Sequence, residues 1–273
     1  MSTQGYIVII NGRGVMKKNI LHALVINLLG FCFFIPNLSF AHDGESRVSV
    51  ELESESTQAG DVVVVFQLID LVKKTLLEEK DLEITHEKKL HVFFFDPALR
   101  EFRHEHPIFS DSKWRLSTHL PVNGKYWIWA QGKILADGSE FSGSSRIQVS
   151  GGLSENPLPT ELGNVRVGLD GLSKAVLSEN IIHAKKMVML DLVLSRTDGS
   201  KPQITPFLGA NAHVIAVTFD GDSLLHVHPM DMSDPTQLMI HAIFPAAGDY
   251  RVWIQFMDAG ELKTVPLSVT VQP

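Results

Sequence analysis

The chain has 273 residues, of which 44% are hydrophobic, and it carries 24 basic and 31 acidic residues for a net charge of −7. This length and composition suffice for one large domain or two medium domains with cores of their own. An acidic chain without a basic stripe is not expected to bind nucleic acid or an anionic membrane surface.

The N-terminal segment has the pattern of a secretory signal peptide. Lys17 and Lys18 precede the apolar run ILHALVINLLGFCFFIP, and the small-residue sequence SFA, which ends at Ala41, follows it. We therefore expect residues 1–41 to be an N-terminal extension and a signal peptide, cleaved after Ala41, and we expect the mature protein in the periplasm. Met16 is an alternative start to Met1.

The mature chain should contain neither a membrane span nor a thiol. No later segment has the 20 apolar residues that a transmembrane helix needs. The one cysteine, Cys32, lies within the predicted leader. Disulfides, thiolate metal sites and cysteine nucleophiles are therefore excluded for the exported protein.

Two similar units follow the leader. KLHVFFFDPALREFRHEHP (89–107) aligns without a gap with NAHVIAVTFDGDSLLHVHP (211–229), and LPVNGKYWIWAQ and FPAAGDYRVWIQ recur downstream of them. We expect a first unit over residues 42–150 and a second over 164–273. Residues 151–163 between them are rich in Gly, Pro, Ser and Asn, which predicts a flexible linker and two units that fold separately.

The strand pattern predicts an all-β fold. Each unit has about seven short β-rich runs separated by turn signals, which is typical of an antiparallel immunoglobulin-like β-sandwich. Tyr126 and Tyr250 follow a Gly turn and suit a tyrosine corner, although simple packing explains them as well. The run LVKKTLLEEKD in the first unit is compatible with a short helix or with a charged hairpin.

Three histidines recur at equal offsets in the two units: His91, His104 and His106 in the first, and His213, His226 and His228 in the second. The first histidine of each set shares a strand face with bulky apolar residues, so we expect it to point inward. The His-x-His pair shares a face of a neighbouring strand. Three neutral imidazoles meeting at one point would suit copper or zinc with an open fourth position.

The alternative is a structural role for the same histidines. An inward histidine is commonly a core residue that donates a ring N–H to a backbone carbonyl, and the proline after each pair fixes the exit of the chain. The remaining histidines of the mature units, such as His86, have no counterpart in the other unit and are interpreted as ordinary residues.

Three further residues are candidate copper ligands. Met230 and Met232 follow the second pair and would add thioether sulfur, which favours Cu(I); packing at the strand edge explains them equally well. Cleavage after Ala41 would make His42 the N-terminus, whose amine and imidazole can chelate Cu(II), unless it is simply a flexible tail.

Enzymatic activity is not expected. The sequence has no Gly-x-Ser-x-Gly elbow, His-Glu-x-x-His helix, phosphate loop or dinucleotide fingerprint.

The segments HEKKLHVFFFDPALREFRHEHP, HVIAVTFDGDSLLHVHP and FPAAGDYRVWIQFMDAGELKTVPLSV resemble a group of exported bacterial proteins with tandem His-Pro-containing β-sandwich units, some of them labelled heavy-metal-associated. The resemblance covers nearly the whole mature chain and implies an exported β-sandwich protein; the six recurring histidines are the positions that it carries over. The CopC-type periplasmic copper carriers, β-sandwiches with a mature N-terminal histidine, are more distantly similar, and their full ligand pattern is not matched.

Together these observations predict a non-enzymatic periplasmic protein that binds a metal ion, copper rather than zinc, and buffers it or hands it over. The alternative is a structural or protein-interaction module of the cell envelope that docks a partner by its strand edges.

Overall fold

The structure is a computed structural model that describes residues 46–273. The predicted leader, the cleavage site after Ala41 and the candidate ligand His42 lie outside the described residues. Within residues 46–273, no helix is long and apolar enough to cross a membrane.

The first half of the described chain forms a β-sandwich of ten strands and one 3₁₀ helix, Glu79–Asp81. Its strands are β1 (Val48–Leu52), β2 (Ser56–Gln58), β3 (Gly60–Asp70), β4 (Thr75–Leu76), β5 (Leu90–Phe95), β6 (Phe102–Glu105), β7 (Ile108–Ser110), β8 (Lys113–Leu120), β9 (Gly124–Lys133) and β10 (Glu140–Ser150).

The second half repeats this arrangement with an additional strand at its start. Its strands are β11 (Val167–Asp170), β12 (Ser173–Leu177), β13 (Ile182–His183), β14 (Met187–Arg196), β15 (Ile204–Thr205), β16 (His213–Thr218), β17 (Leu224–Val227), β18 (Met230–Asp231), β19 (Gln237–Ile243), β20 (Gly248–Asp258) and β21 (Glu261–Gln272).

Each sandwich consists of two sheets that are antiparallel apart from one short parallel pair. The outer sheets have the orders β1-β3-β8-β7 and β11-β12-β14-β19-β18, and the sheets that we call the interface sheets have the orders β2-β10-β9-β5-β6 and β13-β21-β20-β16-β17. The parallel pairs join β2 to β10 and β13 to β21. The predicted all-β sandwich fold is confirmed.

Three local details of the fold go beyond what the sequence indicated. The structural counterpart of β1 is β12, since each pairs with the next long strand of its outer sheet. The segment LVKKTLLEEKD contains the short strand β4 and the 3₁₀ helix, so it is neither a regular helix nor a simple hairpin. In the second sandwich, the Tyr250 hydroxyl donates to the carbonyl of Ala246 at 2.9 Å, as in a tyrosine corner.

The two sandwiches have separate cores and also share a third apolar cluster. This cluster joins residues of both interface sheets, among them Phe95, Phe102 and Trp253, to Leu162 of the segment between the units. The Trp253 ring stacks on Phe102 with their centroids 4.4 Å apart. The two sandwiches therefore share buried apolar surface, and the separate folding of the two units stays a prediction.

Gly221 shows how closely the halves approach each other. Its φ of +77° lies in the left-handed region, and a Cβ added there would lie 2.2 Å from the Trp127 ring nitrogen of the first sandwich. Nearby, the Trp129 indole N–H donates to the Gly221 carbonyl at 3.2 Å. A side chain at position 221 would therefore push the two sheets apart.

Candidate metal centre

The strands β5 and β16 are buried on both faces, and the first histidine of each set lies on the face toward the other sandwich. On β5, Leu90, Val92 and Phe94 belong to the core of the first sandwich. The alternate residues Phe93 and Phe95 belong to the cluster between the sandwiches, and His91 shares their face. His91 is thus buried, as expected, but it faces the second sandwich rather than its own core. His213 has the same position on β16, opposite Gln255 of β20.

The His-x-His pairs lie on the neighbouring edge strands. His104 of β6 is paired with Phe93, and His226 of β17 is paired with Ile215. His106 and His228 follow the ends of these strands and precede a proline. Each hairpin therefore returns its pair beside the first histidine of the same unit.

The ring nitrogens within each triad converge. Nδ1 of His91 lies 3.2 Å from Nε2 of His104 and 3.2 Å from Nε2 of His106. In the second triad, Nδ1 of His213 lies 3.4 Å from Nε2 of His226. In each triad, all three candidate ligand atoms lie within 4.8 Å of one another. Two imidazoles on a tetrahedral ion with bonds of about 2.0–2.1 Å have nitrogens about 3.3 Å apart, so these separations fit one ion per triad.

Hydrogen bonds to the opposite side of the rings fix which nitrogen carries the proton. Nε2–H of His91 donates to the Thr85 carbonyl at 3.1 Å, and Nε2–H of His213 donates to the Phe207 carbonyl at 2.7 Å. Since a carbonyl can only accept, the converging Nδ1 atoms of both rings bear lone pairs.

His104 is oriented by the other sandwich. Its Nδ1–H donates at 2.8 Å to Oε1 of Gln255, whose Nε2 donates in turn to the Thr264 hydroxyl at 3.0 Å. The His104 Nε2 that faces His91 is therefore also a lone-pair atom. Two lone pairs 3.2 Å apart cannot form a hydrogen bond, whereas a shared cation would satisfy both.

Burial keeps these imidazoles neutral. Loss of hydration lowers the pKa of His91 to about 3 and that of His106 and His213 to about 4, and neighbouring histidines reinforce the shift at His91. The pKa values of His104, His226 and His228 are lowered for the same reason. Metal ligation requires neutral imidazole, so all six rings are competent ligands at neutral pH.

One further observation indicates a bound ion at the second triad. Nε2 of His228 is buried and has no hydrogen-bond partner in the described part of the chain. A buried polar atom without a partner costs about 1–3 kcal/mol. A metal ion at the triad would use this atom.

His86 is a participant that the sequence interpretation missed. Its ring stacks on that of His228, with the centroids 3.4 Å apart and an interplanar angle of 23°. His86 occupies a tight turn in which it and Glu87 have φ values of 50° and 65°. The equivalent turn of the second unit carries Leu208 at this place, which is why no repeat signal pointed to His86.

Gln255 was missed as well, although a signal for it existed. The two Gly-x-Tyr strands, β9 and β20, carry Gln131 and Gln255 at equivalent positions, where they pair with His91 and His213 respectively. Gln131 donates to the Ser142 hydroxyl at 3.1 Å, as Gln255 does to Thr264. The recurrence of glutamine at this position of both strands could have identified this second layer around the histidines.

The two candidate methionines are exposed, unlike the buried imidazoles of the triads. Met230 and Met232 are 45% and 47% exposed, and the backbone of Met230 pairs with Met239 in the outer sheet of the second sandwich. The structure therefore does not bring the two methionines in beside the buried imidazoles, because the chain has crossed to the other sheet after Pro229. His119 bonds to Asp61, and His183 bonds to the terminal Pro273 carbonyl, both at exposed positions.

Comparison with known proteins gives little beyond the fold. Residues 166–273, which include the second triad, match a family described as Domain of unknown function (DUF8832). No curated protein matches the sequence.

Several solved structures share a low similarity with the chain. The fibronectin(III)-like modules of Clostridium thermocellum CbhA are 11% identical with a TM-score of 0.23, over 82% of this chain and 94% of theirs. The Escherichia coli adhesin FdeC is 11% identical with a TM-score of 0.25, over 84% of this chain and 65% of its own. Salmonella alpha-2-macroglobulin is 13% identical with a TM-score of 0.25, over 87% of this chain and 15% of its own. Similarities at this level carry no information about function.

Proposed function

We propose that this protein is a non-enzymatic periplasmic protein that binds transition-metal ions, copper above all, through one histidine triad in each β-sandwich, and that it buffers the ion or hands it over. The observation that carries this proposal is the convergence of lone-pair nitrogens in each triad, with His91 and His213 oriented by hydrogen bonds to backbone carbonyls. Second-layer bonds of this kind orient the ligands of known metal sites.

Copper suits the triads better than zinc for a physical reason. Imidazole binds both metals well, but the ligands here are neutral and largely buried. Nitrogen sites generally bind Cu(II) more tightly than Zn²⁺. Copper can in addition enter a poorly hydrated site as monovalent Cu(I), which lowers the cost of burying charge. Zinc remains the second candidate ion.

The competing function is a structural or interaction module, and one observation favours it. The histidines continue the buried strand faces that join the sandwiches, and His104 bonds across the interface to Gln255. In that case the rings would serve only to order the contact between the halves.

Equilibrium dialysis of the full chain against Cu and Zn separates the two functions. We expect the wild type to retain two ions, and the double variants His104→Ala/His106→Ala and His226→Ala/His228→Ala to lose one each. The matched control is His119→Ala/His183→Ala, which removes two exposed histidines outside the triads and should retain both ions. A wild type that retains no metal, or a control that loses as much as the triad variants, would leave the interaction module as the function.

A further inference from the structure

We propose that the two triads form a single dinuclear copper centre across the interface, in which two Cu(II) ions share one small bridging anion such as hydroxide. The inference rests on the proposed function, since it requires that each triad binds an ion. It adds that the ions are coupled and that the centre takes a further ligand.

The shortest distances between the triads are close to the longest distances within them. Ring centroids within a triad are 4.5 to 5.6 Å apart, the limits being the His226–His228 and His213–His226 pairs. Across the interface, the His226 centroid lies 5.5 Å from that of His91 and 5.6 Å from that of His104. The six rings therefore form one cluster, and ions bound in the two halves would be near neighbours.

The triads are also held to each other by contacts that cross the interface. His104 of the first triad is oriented by Gln255 of the second sandwich. His228 of the second triad is covered by the stacked ring of His86 from the first sandwich. Each triad therefore has one histidine that contacts the other sandwich.

One cavity reaches both triads from outside. Its volume is about 100 Å³, and its lining includes His91 of the first triad together with His226 and His228 of the second. One water molecule needs about 10–15 Å³ of space of this kind, so the cavity can hold several water molecules or a small anion. A ligand in this cavity would face the rings of both sites at once.

The charge of the ligands explains why the bridge would be an anion. The six imidazoles are neutral, so two Cu(II) ions would bring four positive charges that their ligands do not offset to a largely buried site. A water molecule bound to both ions can lose one proton to solvent because metal binding strongly acidifies it, and the resulting hydroxide offsets one of these charges. No electron transfer is involved, and azide could replace the hydroxide.

Electron paramagnetic resonance of the full chain with two equivalents of Cu(II) tests the pairing. We expect loss of most of the spin-½ signal relative to the copper bound, because two ions that share a bridge couple magnetically. Azide should produce a charge-transfer band that saturates at one azide per two copper ions. In His226→Asn/His228→Asn, which keeps one triad, the signal should account for all of the single ion bound, without the stoichiometric azide band.

The outcomes separate the two proposals. Two bound ions whose signal integrates to the full copper content would overturn the dinuclear centre and leave the proposed function intact, whereas absence of bound copper would overturn both. The wild-type spectrum decides without any variant. Should the double variant fail to fold, His228→Asn alone, checked by circular dichroism, serves the same purpose.

Discussion

Gln255 offers a sharp test of how the first triad is prepared for metal. The change Gln255→Leu keeps the approximate volume of the side chain but removes the acceptor for Nδ1–H of His104, at present 2.8 Å from Oε1. The two residues are 3% and 8% exposed, so water has little access to replace the lost bond. An unpaired buried N–H costs about 1–3 kcal/mol, which we expect as lost stability of the metal-free chain.

The same change should weaken metal binding in the first triad about 10–100-fold, because His104 can then rotate or change its tautomer. Gln255→Glu retains an acceptor and should bind copper within a few-fold of the wild type. Thr264→Val removes only the bond to the far end of the glutamine amide, 3.0 Å long, and should have a smaller effect.

The assay is a competition titration of the full-length variants against a chromophoric copper chelator, with urea unfolding of the metal-free chains. If Gln255→Leu bound copper as tightly as the wild type while losing the expected stability, the hydrogen bond would be structural only. The argument that Gln255 positions a metal ligand would then be refuted.

Three further predictions follow from the placement of residues. Met230→Leu/Met232→Leu should leave both histidine sites at wild-type copper affinity in the same titration, because these side chains lie on the exposed outer sheet. A marked loss of copper affinity would instead identify the methionines as ligands. The stability of the metal-free chain should fall as pH drops from about 6.5 toward 4, by about 2 kcal/mol per buried imidazole between pH 7 and 5. The pKa is lowered to about 4 at His213 and to about 3 at His91 in the folded chain, so protons bind the unfolded chain more tightly. Urea unfolding at a series of pH values measures this effect, and a free energy of unfolding that does not change with pH would contradict it. The two halves produced separately should be less stable than within the full chain and should tend to associate, because each exposes its part of the shared apolar cluster. Light scattering that shows two stable monomers would contradict this and support two independent units.

The fold could be predicted from the sequence because local patterns determine its strands and turns. Turn signals, period-two strands and the long repeat predict two β-sandwiches, and each triad follows from the equal offsets of its histidines. Each hairpin then brings the pair back beside the first histidine by short-range strand pairing, as between Phe93 and His104.

The contacts between the two sandwiches could not be predicted from local sequence patterns. Contacts such as that of His104 with Gln255 or of His86 with His228 join distant segments and leave no local pattern. One hint was present in LHVFFF, a continuous apolar run that is typical of a strand buried on both faces. That run implies a second apolar partner for the interface sheet, which the second sandwich provides.

The central claim is that the six histidines are metal ligands, and X-ray absorption spectroscopy of the copper-loaded full chain tests it most directly. The account predicts a first shell of imidazole nitrogens at about 2.0 Å, with the outer-shell scattering of histidine rings and no sulfur. A first shell containing sulfur would place copper on the exposed methionines, and a shell of oxygen alone would place it on surface carboxylates; either result would contradict the account.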